Sequence, residues 1–211
     1  MFVVEYFDIR ASSFLFHRQF CIRRCVLKEP LTRITVNKKP DLRLVLLFIP
    51  VAYLSYLFHE FGHWTVGEIL GNEMVYRLNW VWPKSGHYNG VHDGLYTLVG
   101  GPAFTVLQAI IFLLVIERYR TMAAYPFVFF AFFMRFFSLV FGGFGKQDEA
   151  HISASLNFGA YTVAIVVLLV LFLILWRASH KLRFDFRMNG FFCVASTMAQ
   201  LLVIGSYTVF S

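Results

Sequence analysis

The hydrophobic positions of this 211-residue chain gather into five long runs instead of alternating with polar ones. They extend from about Leu44 to Leu70, Leu95 to Ile116, Met122 to Phe141, Leu156 to Trp176 and Gly190 to Phe210. A helix rising about 1.5 Å per residue needs about 20 apolar residues to cross a hydrocarbon layer of roughly 30 Å, so each run predicts a transmembrane helix. Between the first two runs the period changes to two. Tyr76, Leu78, Trp80 and Trp82 alternate with Arg77, Asn79 and Val81, and turn-forming residues follow from Pro83 through Gly94. That pattern predicts a small membrane-associated β-hairpin. The expected fold is an all-α membrane bundle of about five helices with this hairpin between the first and second.

Ahead of the bundle, residues 1–43 place Phe14, Leu15, Phe16 and Phe20 among Arg18, Arg23 and Arg24. Such a segment predicts a basic cytoplasmic or interfacial helix on an anionic membrane surface. Residues 44–211 read as one polytopic domain, with no repeat and no Pro-, Gly- or Ser-rich linker to divide it. Composition agrees: 58% of residues are hydrophobic and 15% charged, against about 25% charged in soluble domains. The 26 Phe suit lipid-facing helices, and without basic residues interleaved among the aromatics no nucleic-acid partner is expected.

Charge sets the expected topology. Much of the formal +7 precedes the first run. Arg118 and Arg120 then follow the second run, and Arg177, Lys181, Arg183 and Arg187 follow the fourth. The opposite loops carry only Arg77 and Lys84, or Lys146 set against Asp148 and Glu149. The positive-inside rule therefore predicts a multi-pass protein with a cytoplasmic N-terminus and an external C-terminus. No cleaved leader is expected, because Glu5, Asp8 and Arg10 interrupt the start. Cys21, Cys25 and Cys193 form neither a CxxC pair nor a disulfide framework and are expected to stay reduced.

The chemistry concentrates at His59-Glu60-Phe61-Gly62-His63, an HExxH box inside the first apolar run. Residues four apart on a helix lie about 40° apart around its axis, so both imidazoles can reach one zinc ion with Glu60 beside an open coordination position. Idle ionisable groups in hydrocarbon are costly, which marks the box as functional. About 15 helical residues separate Leu44 from His59, roughly 23 Å of rise, so the box lies past mid-membrane towards the outside. A catalytic zinc takes three protein ligands and a water, leaving one ligand to find. Asp148 is the leading candidate, following the flexible Gly142, Gly143 and Gly145. Glu149, His151, His92 and Asp93 are its rivals, and an N-cap role for Asp148 is the plain structural alternative. His87 and His92 fall in a turn-rich segment and read as polar loop residues.

These residues resemble the site-2 proteases, intramembrane zinc metalloproteases. The resemblance rests on HEFGH with Trp64 through Gly71, on Gly100-Gly101-Pro102-Ala103-Phe104-Thr105 opening the second helix, and on the Asp148 segment; it covers roughly 44–176. It implies that His59, His63 and Asp148 bind Zn2+ and that Glu60 activates water. It further implies that a membrane-protein substrate is cut in or next to its transmembrane segment, with the hairpin corresponding to the family's membrane-dipping strands. Where relatives often carry Asn three residues after the Pro, this chain has Thr105, so Thr105 and Asn157 are the groups offered for oxyanion support, with Gln108 a further amide. A non-catalytic relative acting in binding or assembly is the alternative. A di-iron oxygenase is excluded, since just one His pair shares a helix face.

Overall fold

The computed structural model describes residues 42–142 and 147–210. The expected interfacial helix, with Cys21 and Cys25, lies outside these residues, as do Gly143, Gly145 and Lys146. The first long helix, α1, spans Leu42–Ile69. Strands β1 (Met74–Tyr76) and β2 (Val81–Pro83) follow, then α2 (Asp93–Tyr119). A single 3-10 turn, Met122–Ala124, leads into α3 (Tyr125–Phe141). The short α4 (Asp148–Ser155), α5 (Thr162–Leu182) and α6 (Phe186–Phe210) complete the order. The five longest segments are apolar enough to cross a membrane, so this is a multi-pass membrane protein with an all-α bundle and one small antiparallel sheet. Its register pairs Met74 with Pro83, Val75 with Trp82 and Tyr76 with Val81.

One stretch departs from the hydrophobic pattern. The fourth run was expected to be helical from Leu156, but residues 156–161 break the chain between α4 and α5. Asn157 (φ 55°) and Gly159 (φ 72°) adopt left-handed backbone there, and the Ser153 hydroxyl accepts the Val163 N–H at 3.2 Å across the break. Hydropathy cannot register such a turn, because it sums side-chain transfer and is blind to φ. The consequence is functional: α4 becomes a separate short helix that starts at Asp148.

Two packing arrangements position everything else. At the end where α1 begins, Phe48, Tyr125, Phe129 and Phe192 form an aromatic core of rings 5.1–6.2 Å apart, with no exposure for Phe48, Tyr125 and Phe192. Edge and tilted contacts of this kind add directional attraction to simple burial. At the other end α1 and α2 pass so closely that Gly62 and Gly100 sit backbone to backbone. A Cβ on Gly62 would fall on the Gly100 carbonyl and 2.8 Å from the Phe104 Cβ. Small residues permit this approach in membranes, where dispersion between helices stands in for the hydrophobic effect.

Between the ends, polar groups pair across helices. Gln108 donates to the Ser55 hydroxyl (2.8 Å) and the Phe127 carbonyl (3.1 Å), joining α2 to α1 and α3. Gln108 is thus an interhelical bridge through its amide NH2. The hairpin is fastened by the Tyr76 hydroxyl, which donates to the Leu57 carbonyl at 2.6 Å.

Candidate metal centre

His59 and His63 project from the last third of α1 towards α2, both almost fully buried. Each ring is held through Nδ1. His63 Nδ1 donates to the Thr97 carbonyl at 2.7 Å. His59 Nδ1 lies 2.8 Å from the Thr105 hydroxyl, which itself donates to the Gly101 carbonyl at 3.1 Å. A carbonyl can only accept, and a hydroxyl whose proton is committed must accept, so both Nδ1 atoms carry hydrogen. Both Nε2 atoms therefore present lone pairs, which is how outer partners set the tautomer of ligating histidines.

Those lone pairs converge. The two Nε2 atoms are 3.3 Å apart, and Asp148 Oδ2 lies 3.1 Å from that of His59 and 3.6 Å from that of His63. With the rings at 89° to each other, both lone pairs can address one point. Three acceptor atoms at this spacing repel unless they share a cation. Tetrahedral zinc with bonds of about 2.0–2.1 Å sets its ligand atoms roughly 3.3–3.4 Å apart, so the donor set fits that ion. Among the described residues this is the group of His, Cys, Asp or Glu able to hold a metal. Gly101 forms its floor, since a Cβ there would stand 2.6 Å from Cε1 of both His59 and His63.

The carboxylates divide the work. Asp148 opens α4, 89 residues from His59 in sequence. Glu149 turns away from the cluster and grips Arg135: Nε donates to Oε1 at 2.8 Å and Nη2 to Oε2. Glu60 lines a cavity of about 280 Å³ shared with Tyr56, His59, Asn79, Arg135, Gln147 and Asp148. On its other side a smaller cavity, about 160 Å³, is bounded by His63, Trp80, Val81, Tyr88 and Thr97. The Tyr76 hydroxyl is pushed up by burial and then by the nearby Glu60 carboxylate.

The remaining sequence candidates lie elsewhere. His151 is exposed, as are His87 and His92. Asp93 accepts from the Asn72 amide (3.0 Å) and the Gly90 N–H (2.9 Å), closing the loop before α2. Thr105 and Asn157, offered for oxyanion support, line neither of these two cavities. Thr105 stands behind His59 as the acceptor for Nδ1, and Asn157 is exposed in the left-handed turn after α4. Conversely, Arg135, Thr97 and Asn79 were not singled out beforehand. A signal for Arg135 existed, a lone charge within the run Phe132-Phe133-Met134-Arg135-Phe136-Phe137. Thr97 acts through its carbonyl, which no residue pattern reveals. Comparison with known protein families, with curated proteins and with solved structures finds no match.

Proposed function

We propose that the chain is an intramembrane zinc metalloprotease of the site-2 protease type, hydrolysing peptide bonds in or next to the transmembrane segment of a membrane protein. The observation that carries this reading is the convergence of His59 Nε2, His63 Nε2 and Asp148 Oδ2, 3.1–3.6 Å apart, with Glu60 on the adjoining cavity wall. Charge supports it too. Among the described residues Arg135 is the cation beside Glu60, Asp148 and Glu149, and a divalent cation would neutralise the two charges left over.

In this mechanism His59, His63 and Asp148 hold zinc, which when bound acidifies its water and polarises a carbonyl. Glu60 takes the proton from the attacking water and returns it to the leaving amine. Thr105 and the Thr97 carbonyl keep the two imidazoles aimed. A helical substrate hides its carbonyls in hydrogen bonds and must unwind first. The hairpin can receive the opened strand by edge pairing, since Asn79, Trp80 and Val81 border the same cavity as Glu60 and His63. The basic loops at Arg118–Arg120 and Arg177–Arg187 mark the cytoplasmic face, which leaves the site opening towards the external side, with a cytoplasmic N-terminus.

The test is detergent-purified protein with casein as an unfolded substrate. Wild type is expected to hold one equivalent of zinc and to cleave. Glu60→Gln keeps the zinc and loses about 10²–10⁴-fold in rate, the usual worth of a general base. His59→Ala and Asp148→Ala lose both metal and cleavage. A second reading draws on the 3.3 Å contact between Arg135 Nη1 and His59 Nε2. There Arg135 closes the cluster in place of a metal, in a non-catalytic protein of binding or assembly. Zinc-free wild type that cleaves nothing would favour it, whereas cleavage that survives Glu60→Gln would overturn the role given to Glu60.

A further inference from the structure

Arg135 is a buried cation for which the reading above has no chemical task. It is 7% exposed in a helix that is otherwise nearly all Phe at that level. Charge neutralisation alone does not account for it, because Arg135 and Glu149 neutralise each other and an apolar pair would leave the same net charge. What the pair achieves is orientation. Glu149, 1% exposed, takes Nε and Nη2 along one edge of the guanidinium and so fixes its plane. Nη1 is left projecting past the clasp, 3.3 Å from His59 Nε2, while Nη2 also reaches Asp148 Oδ2 at 3.3 Å. Arg135 thereby faces the cavity that Glu60 and Asp148 line. Gln147 lines it as well, 6% exposed and with its Nε2 unpartnered among the described residues. The residues the sequence offered for oxyanion support, Thr105 and Asn157, do not reach it.

We propose that Arg135, oriented by Glu149, is the hydrogen-bond donor for the scissile carbonyl oxygen as it becomes an oxyanion. This rests on the protease reading and names a catalytic residue for it. When the water oxygen bonds to the carbonyl carbon, the C=O π pair moves onto the carbonyl oxygen and Glu60 takes the water's proton. The Nη1–H bond to that oxygen strengthens as its charge grows, and Arg135 keeps its protons throughout. On collapse the pair returns to re-form C=O, the C–N bond breaks, and the proton on Glu60 passes to the amine nitrogen.

The test compares wild type with Arg135→Gln/Glu149→Gln, which removes both charges together, and with Arg135→Lys, which keeps the charge without the fork. In cobalt(II)-substituted protein, absorption titrations follow binding of phenylphosphonate, a tetrahedral oxyanion, and of imidazole, a neutral ligand. The double variant is expected to retain metal and to bind phenylphosphonate at least tenfold more weakly, with imidazole within twofold, as loss of a charge-assisted donor requires. In casein cleavage its kcat falls about 10²–10³-fold with KM little changed, the loss typical of an oxyanion donor. Arg135→Lys is expected to recover less than a tenth of wild-type kcat and serves alone should the double variant lose its metal. Phenylphosphonate affinity and kcat both within twofold of wild type, in either variant, overturn the proposal. Wild type that cleaves nothing, yet binds phenylphosphonate in an Arg135-dependent way, sinks the protease reading and leaves Arg135 as the oxyanion donor.

Discussion

The two ends of the bundle solve opposite problems with the same helices. Where α1 begins, Phe48, Tyr125, Phe129 and Phe192 pack ring against ring, and each contributes many weak contacts that a neighbour can partly replace. Where α1 ends, His59, Glu60, His63, Arg135, Asp148 and Glu149 sit within one polar cluster in which single partners are not interchangeable. The aromatic end tolerates loss of volume by relaxing. The polar end relaxes less readily, because Arg135 and Glu149 each lose a buried ionic partner if the other is removed.

The comparison is broken most severely at Glu149. Glu149→Ala leaves the Arg135 guanidinium without its clasp, and is expected to cost about 3–5 kcal/mol, the penalty for stranding one member of a buried ion pair. Thermal unfolding in detergent reads it, and Arg135→Gln/Glu149→Gln should recover most of the loss. Phe192→Ala removes somewhat more atoms at the aromatic end yet is expected to cost less, about 2–3 kcal/mol, below the range for soluble cores because lipid is as apolar as the protein interior. Zinc content should not change, and loss of metal in this variant would show that the two ends are not independent.

Thr105→Val sharpens the contrast at nearly constant volume. It removes the hydroxyl that accepts from His59 Nδ1, so the ring is no longer held with its Nε2 lone pair inward. Zinc affinity is expected to fall about 10–100-fold, the usual effect of losing an outer partner of a ligating histidine, with little change in melting temperature. Competition with a metal-chelating dye measures it. The smallest effect belongs to the hairpin. Tyr76→Phe removes the bond to the Leu57 carbonyl and should cost about 0.5–1.5 kcal/mol, seen as faster amide exchange over β1 and β2.

Legibility in the sequence followed the range of the interaction. The apolar runs predicted the five long helices, and the period-two segment predicted the hairpin, because both depend on neighbouring residues and fixed backbone periods. The spacing of His59 and His63 placed both imidazoles on one helix face for the same reason. The break at 156–161 escaped, since backbone φ at Asn157 leaves no trace in hydropathy. Between Asp148 and Glu149, adjacent carboxylates of similar chemistry, the preceding glycines favoured Asp148, but no residue pattern showed which of the two faces the histidines. One turn of α4 aims the first at the histidines and the second at Arg135, and that turn is placed by its packing on α2 and α5.

What the chain determined by itself was therefore local: a multi-pass apolar bundle, a hairpin, and two imidazoles with a carboxylate on one turn of α1. What the tertiary structure decided is which distant groups complete them. Thr105 is 46 residues from His59, Arg135 is 76 and Asp148 is 89. Their meeting depends on how closely α1 and α2 cross at Gly62 and Gly100 and on where α3 ends, and these follow from side-chain packing across helices, for which sequence separation carries no geometric rule.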